Sequence, residues 1–98
     1  MKQLNPVHPG EILKHDFMEP LGLSSNALAK AIGVTPARIN EIVRERRGIT
    51  AETALRLAQY FGTDAQSWMN LQHHYELEVA EQAIGHEIAS IQPLAAMS

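Results

Sequence analysis

Cysteine is absent from the chain, so no disulfide framework can hold it together. No apolar run reaches the roughly 18 residues that a transmembrane helix needs. The opening "MKQLNPVHPGE" lacks the apolar stretch of a signal peptide. These absences lead to the expectation of a soluble, cytoplasmic protein. Sustained alternation of apolar and polar residues is missing too, so no strand is required. Lys and Arg vanish after Arg56: residues 57–98 hold only Asp64, Glu76, Glu78, Glu81 and Glu87, a net charge of −5.

What charge there is of the other sign is gathered in one place. "GVTPARINEIVRERRGIT", residues 33–50, contains Arg38, Arg44, Arg46 and Arg47, four of eight basic residues in a chain of net charge −3. Residues 30–56 carry net +3 and residues 1–29 net −1. A basic middle and an acidic tail point to two different partners. At 98 residues and 45% hydrophobic content, the chain has room for one small core.

The pattern predicts an all-α fold of about five helices. Pro9 suits a first helical position, followed by Ile12, Leu13 and Phe17 on one face, and "EPLGL" breaks that helix. Ser24 caps a second helix with Leu28, Ala29 and Ile32 inward, ended by Gly33. Thr35 and Pro36 open a third, with Ile39, Ile42 and Val43 inward and Gly48 as its stop. Thr50 caps a fourth, with Ala54, Leu57, Ala58 and Phe61 inward and Gly62 at its end. Asp64 caps a longer fifth carrying Trp68, Leu71, Tyr75 and Val79. Gly85 weakens its continuation past Ala80 by about 1 kcal/mol relative to Ala. That leaves "HEIASIQPLAAMS" open between fraying helix, short strand and disorder.

The second and third helices meet the requirements of a helix-turn-helix. Ala29 is small where the helices cross, and Gly33 tolerates positive φ in the turn. Leu28, Ile32, Val34, Ile39 and Ile42 lock the interhelical angle. Such a motif sets its second helix in the DNA major groove. This accounts for the arginine cluster, because recognition needs local positive charge rather than a basic protein. With the third helix entering N-terminus first, Thr35, Ala37, Arg38 and Glu41 are the expected base readers. Ala37 suits a thymine methyl, Arg38 a guanine and Glu41 a cytosine amino group; Arg38 could instead clamp a phosphate. Asn40 and Arg44 lie further along the same exposed face, within reach of bases or backbone. Arg46 and Arg47 are expected on phosphates, with Ser24, Ser25 and Asn26 on the other flank and Thr50 beyond. Ser24 and Thr50 also serve as ordinary caps.

Three stretches carry a family resemblance: "HPGEIL" at 8–13, "LAKAIGVTPARINEIVRERRGIT" at 28–50 and "WMNLQHHYELE" at 68–78. With them the chain resembles the lambda-repressor-like family, and within it the HigA/VapI group, antitoxin-repressors of HigBA toxin–antitoxin modules. The resemblance implies a homodimer on a palindromic operator in its own promoter. It also implies neutralisation of a small toxin similar to RelE, an mRNA-cleaving ribonuclease, and the acidic tail suits a basic one. The family's recognition-helix pattern falls on Thr35, Ala37, Arg38, Asn40 and Glu41. Residues 1–79 are then expected to form the DNA-binding domain and 80–98 a C-terminal extension. In that extension Ala80, Ala83, Ile84, Ile88 and Ile91 keep near-helical spacing without a place in the small core, which suits dimerisation.

Other functions find little support. His8, His15, His73, His74 and His86 show no metal-ligand spacing and have no cysteine beside them. Neither a phosphate-cradling glycine loop nor a nucleophile elbow is present, and Glu76, Glu78 and Glu81 read as a solvated face. No enzyme activity, metal or cofactor is expected. The remaining alternatives are a repressor without a toxin partner and a helix-turn-helix that only binds protein.

Overall fold

Oxygen-bearing side chains start four of the five helices. A computed structural model describes residues 5–94, with no strand among the described residues. Helix α1 is one rod built from Pro9–Ile12, a π-helical stretch Leu13–Met18, and Glu19–Leu21. It is followed by α2 (Ser25–Ile32), α3 (Pro36–Val43), α4 (Ala51–Phe61) and α5 (Ala65–Ala89). Ser24 Oγ accepts the Ala27 N–H at 3.0 Å, Thr35 Oγ1 the Arg38 N–H at 3.1 Å, and Asp64 Oδ1 the Ser67 N–H at 2.6 Å. Thr50 Oγ1 accepts the Thr53 N–H at 3.4 Å. Each such cap contributes about 1 kcal/mol.

One expected helix boundary, Gly48, is corrected; the first helix ends within "EPLGL" as expected, and the last extends as helix into the stretch left open. In α1 the chain runs through Pro20 and ends at Gly22, which is left-handed at φ 66°. The wide π-turn makes this possible: Glu19 N–H reaches back five residues to Lys14 O, where an ordinary turn would drive the Pro20 ring into the carbonyl four residues before it. Helix α3 stops at Val43, well before Gly48, in a hook of the Schellman type. Glu45 N–H bonds Ile42 O at 2.9 Å and Arg46 N–H bonds Glu41 O at 2.8 Å, with Glu45 itself left-handed at φ 62°. A non-glycine residue there carries about 1 kcal/mol of strain. Helix α5 continues past Gly85 to Ala89, bent only at Ile84 (φ −129°, ψ 18°). Ile91 follows in a turn, its N–H on Ile88 O at 3.0 Å, and the last four residues of the tail lie outside the described residues.

The core gathers Leu13, Leu28, Ile39, Ile42, Leu57 and Trp68, all nearly or fully buried. Phe17 packs against both Phe61 and Trp68, at centroid distances of 4.9 and 5.0 Å. The buried indole is satisfied, since Trp68 Nε1 donates to Thr63 Oγ1 at 2.9 Å. Val79, on the same helix as the buried Trp68, is exposed: α5 outruns the bundle and projects from it, giving extents of 54 × 27 × 21 Å.

Two residues at the start of α1 fix the far end of α3. Gly10 is buried so tightly that a Cβ built on it would lie 1.8 Å from Ile42 O, the same carbonyl that accepts the Glu45 N–H of the hook. His8 caps α1, its Nδ1 accepting the Gly10 N–H at 2.9 Å, and its buried ring meets Tyr75 edge-on at 4.7 Å. Burial of the His8 ring holds its pKa below the ordinary 6.5, while the Glu45 carboxylate pulls it upward.

Both contacts lead to measurable outcomes. Gly10→Ala sets backbone against a methyl with no rotamer to escape into, so a loss of about 3 kcal/mol is expected. Urea unfolding with an unchanged m-value checks it; a loss below about 0.5 kcal/mol would contradict the contact. For His8, the unfolded chain takes up a proton that the folded one resists. Its stabilising contribution is therefore present above the unfolded pKa and lost as pH falls through the folded one. His8→Asn keeps a capping acceptor but does not titrate, so it should lose less stability than the wild type between about pH 7.5 and 5.5. Equal losses in thermal melts would dismiss the role.

Candidate nucleic-acid interface

The turn joining α2 to α3 is held from three sides. Gly33, left-handed at φ 78°, lets its own N–H and that of Val34 both bond Ala29 O, at 2.9 and 3.0 Å. Pro36 supplies the first residue of α3, where its missing N–H costs nothing. From α4, Arg56 Nη1 donates to Ile32 O at 2.7 Å, placing a cation on the negative, C-terminal end of α2.

Arg56 is itself anchored by its neighbour one turn earlier. Glu52 Oε2 accepts from Arg56 Nε at 3.1 Å and pairs with Nη2 at 3.0 Å. The other carboxylate oxygen of Glu52 lies 3.9 Å from Arg38 Nη1. A chain of charges thus runs from the turn through α4 to the first turn of α3. Glu52 is 60% exposed, so these pairs add little to stability; their effect is to orient side chains.

Around this frame the expected contact residues are distributed unevenly. Thr35 and Ala37 are exposed on the first turn of α3, with Arg38, Asn40 and Glu41 half-buried along it. Thr35 Oγ1 accepts the Arg38 N–H as a cap, and the hydroxyl proton remains available to donate. Glu41 is paired with Arg47 at 3.0 Å. Arg44, expected on the helix face, is the C-cap residue of α3, and Arg46 follows on the hook. Arg44 and Arg46 have no carboxylate within ion-pair distance among the described residues. Thr50 caps α4 two residues before Glu52. Ser24, Ser25 and Asn26 form a separate group at the start of α2, where Ser25 is half-buried and the other two are exposed.

Sequence reasoning missed Arg56, Gly10 and Gln72. The four-residue spacing of Glu52 and Arg56 was a readable signal; the carbonyl that Arg56 finds was not. No group of three or more His, Asp or Glu side chains that could hold a metal ion occurs among the described residues, and no helix there is long and apolar enough to cross a membrane.

Comparison with known proteins places this geometry. The helix-turn-helix family model matches residues 15–68. Virulence-associated protein I of Dichelobacter nodosus is 62% identical over 80 residues, covering 82% of this chain and 74% of that protein. Antitoxin HigA-1 of Vibrio cholerae is 35% identical over 89 residues, or 91% and 84% of the two chains. A solved structure of the Pseudomonas aeruginosa antitoxin HigA with the higBA promoter superposes with a TM-score of 0.88 at 50% identity, spanning 91% of this chain and 98% of that one. The chain belongs to the lambda-repressor-like helix-turn-helix family, in its HigA/VapI group.

Proposed function

We propose that this chain is a sequence-specific DNA-binding antitoxin that represses its own operon as a dimer and neutralises a RelE-like, mRNA-cleaving toxin in the cytoplasm. The observation that carries the reading is the braced and exposed first turn of α3, on a fold shared with a promoter-bound HigA. In the major groove, Thr35, Ala37, Arg38, Asn40, Glu41 and Arg44 read bases. Glu41 does so by exchanging Arg47 for a base donor such as the cytosine amino group. Arg46, Arg47 and Thr50 hold phosphates on one flank, and Ser24, Ser25 and Asn26 on the other. Ser24 spends an oxygen lone pair on its cap, which leaves its hydroxyl proton to donate to a phosphate oxygen, whereas the Thr50 hydroxyl donates to Thr53 Oγ1 at 3.3 Å in the free protein and exchanges that partner for the phosphate.

Residues 1–79 carry this DNA-binding unit and 80–98 the dimerising extension. On α5, Ile84 and Ile88 are 42% and 53% exposed and Ile91 beyond it 66%. With Ala80 and Ala83 they give an apolar face that the monomer leaves in water. Along it runs a groove of about 790 Å³ that Ile84 and Ile88 help to line. A single helix-turn-helix reads only a few base pairs, and two half-sites a helical turn apart need two copies. The toxin is expected to be basic, because residues 57–98 present −5 and no cation.

Affinity-tagged protein from its native host should bring down a small basic companion that is toxic alone, and should retard its own promoter DNA. The double variant Arg38→Glu, Arg44→Glu should keep the companion and lose about 100-fold or more in promoter affinity. Unchanged retardation would refute the DNA assignment, and retardation without any companion would favour a stand-alone repressor. A chain truncated after Glu78 should sediment as a monomer at micromolar concentration; a persistent dimer would move the interface elsewhere.

A further inference from the structure

The hook after α3 carries Arg44, Arg46 and Arg47, and its own bonds tie it back only to the last turn of α3. It contains a left-handed Glu45, and all four residues 44–47 are exposed. Beyond it Ile49 is buried in the core, and a polar side chain on α5 meets the backbone between. Gln72 is only 6% exposed, and its Oε1 accepts the Ile49 N–H at 2.7 Å in a buried bond. On the other side of the amide, Nε2 donates to Glu76 Oε2 at 3.0 Å, which fixes its orientation. Gly48 lies directly against it: a Cβ on Gly48 would approach the Gln72 amide atoms to 2.7–2.9 Å. Gly48 therefore does not end α3; it admits the Gln72 amide to the backbone. A buried amide held at both ends is a strong constraint, because leaving its partner N–H unsatisfied is expensive.

We infer that Gln72 is a positioning residue for DNA binding: from α5 it grips the backbone at Gly48 and Ile49 and holds the arginine hook ready for the phosphates. The inference rests on the assignment of Arg46 and Arg47 to phosphates. Gln72 touches no DNA itself. It spares the loop an ordering step on binding, and a pre-ordered loop binds more tightly than one that must be ordered. The same helix continues into the segment that dimerises, so one element supports both the hook and the partner copy.

The test is a double-mutant cycle on promoter affinity at fixed salt. Gln72→Met keeps the size of the side chain and removes the acceptor. It should weaken promoter binding about tenfold in the wild-type background, and less than about twofold when Arg46 and Arg47 are already Ala. Discrimination between the promoter and a version with one base pair changed should not move, because α3 still reads the bases. A residue that merely supports the fold would give the same loss in both backgrounds, and that result overturns the inference.

Two controls separate the possible failures. Arg46→Ala with Arg47→Ala should flatten the dependence of log affinity on log salt by up to about 1.8 per protomer. If the slope does not change, the phosphate assignment fails and takes this inference with it. If it changes but the cycle is additive, only the role of Gln72 fails. Should Gln72→Met not fold at the assay temperature, Gly48→Ala displaces the same amide from the loop side without altering α5. It should give the same loss and the same non-additivity, and an additive result there is equally fatal.

Discussion

Two backbones touch where Gly10 meets the carbonyl of Ile42, and the position of the recognition helix depends on that contact. An α3 of eight residues has little stability of its own, because short helices in water are marginal and must be held by packing. Its first turn is set by the Thr35 cap and the Arg38–Glu52–Arg56 chain. Its last turn is set by Gly10, which lets α1 approach until only a hydrogen fits between them. The hook then starts from that same carbonyl. His8 and Tyr75 close the seam behind it, and Gln72 secures the strand of chain beyond. Six residues outside α3 thereby set where its exposed face lies.

Charge is arranged on the same plan of holding and release. Arg38 and Arg47 each have a carboxylate partner in the free protein, Glu52 and Glu41. All four side chains are at least about a quarter exposed, a setting in which an ion pair contributes about 0–1 kcal/mol. A phosphate or a guanine edge can replace such a partner at little cost. The carboxylates also reduce the local positive potential around α3. The acidic stretch after residue 56 acts in the same direction over longer range.

Much of this was legible in the chain, for local reasons. Ser24, Thr35, Thr50 and Asp64 cap the helices they were expected to cap, because an N-cap is a contact over three residues. The stripe of Leu28, Ala29, Ile32, Ile39 and Ile42 is buried as the 3.6-residue period requires. Misreadings arose where one element answers to another. Gly48 looked like a helix stop, but its smallness serves Gln72, which lies 24 residues away. Val79 keeps the spacing of the core residues before it, but α5 has already left the bundle by then. Gly10 showed in the sequence only as part of the "HPGEIL" resemblance, and nothing local pointed to Ile42. Of the bracing, the Glu52–Arg56 spacing was readable; the Ile32 carbonyl that Arg56 finds and the Ile49 N–H that Gln72 finds were not.

A titration of isotopically labelled protein with DNA from its own promoter would show which backbone amides sense the duplex. Shifts should concentrate at residues 24–26, along 35–47 and at Thr50, leaving the exposed apolar face of α5 around Ile84 and Ile88 unmoved. Shifts confined to α5, with α3 and its hook silent, would contradict the reading of α3 as the DNA-recognition helix.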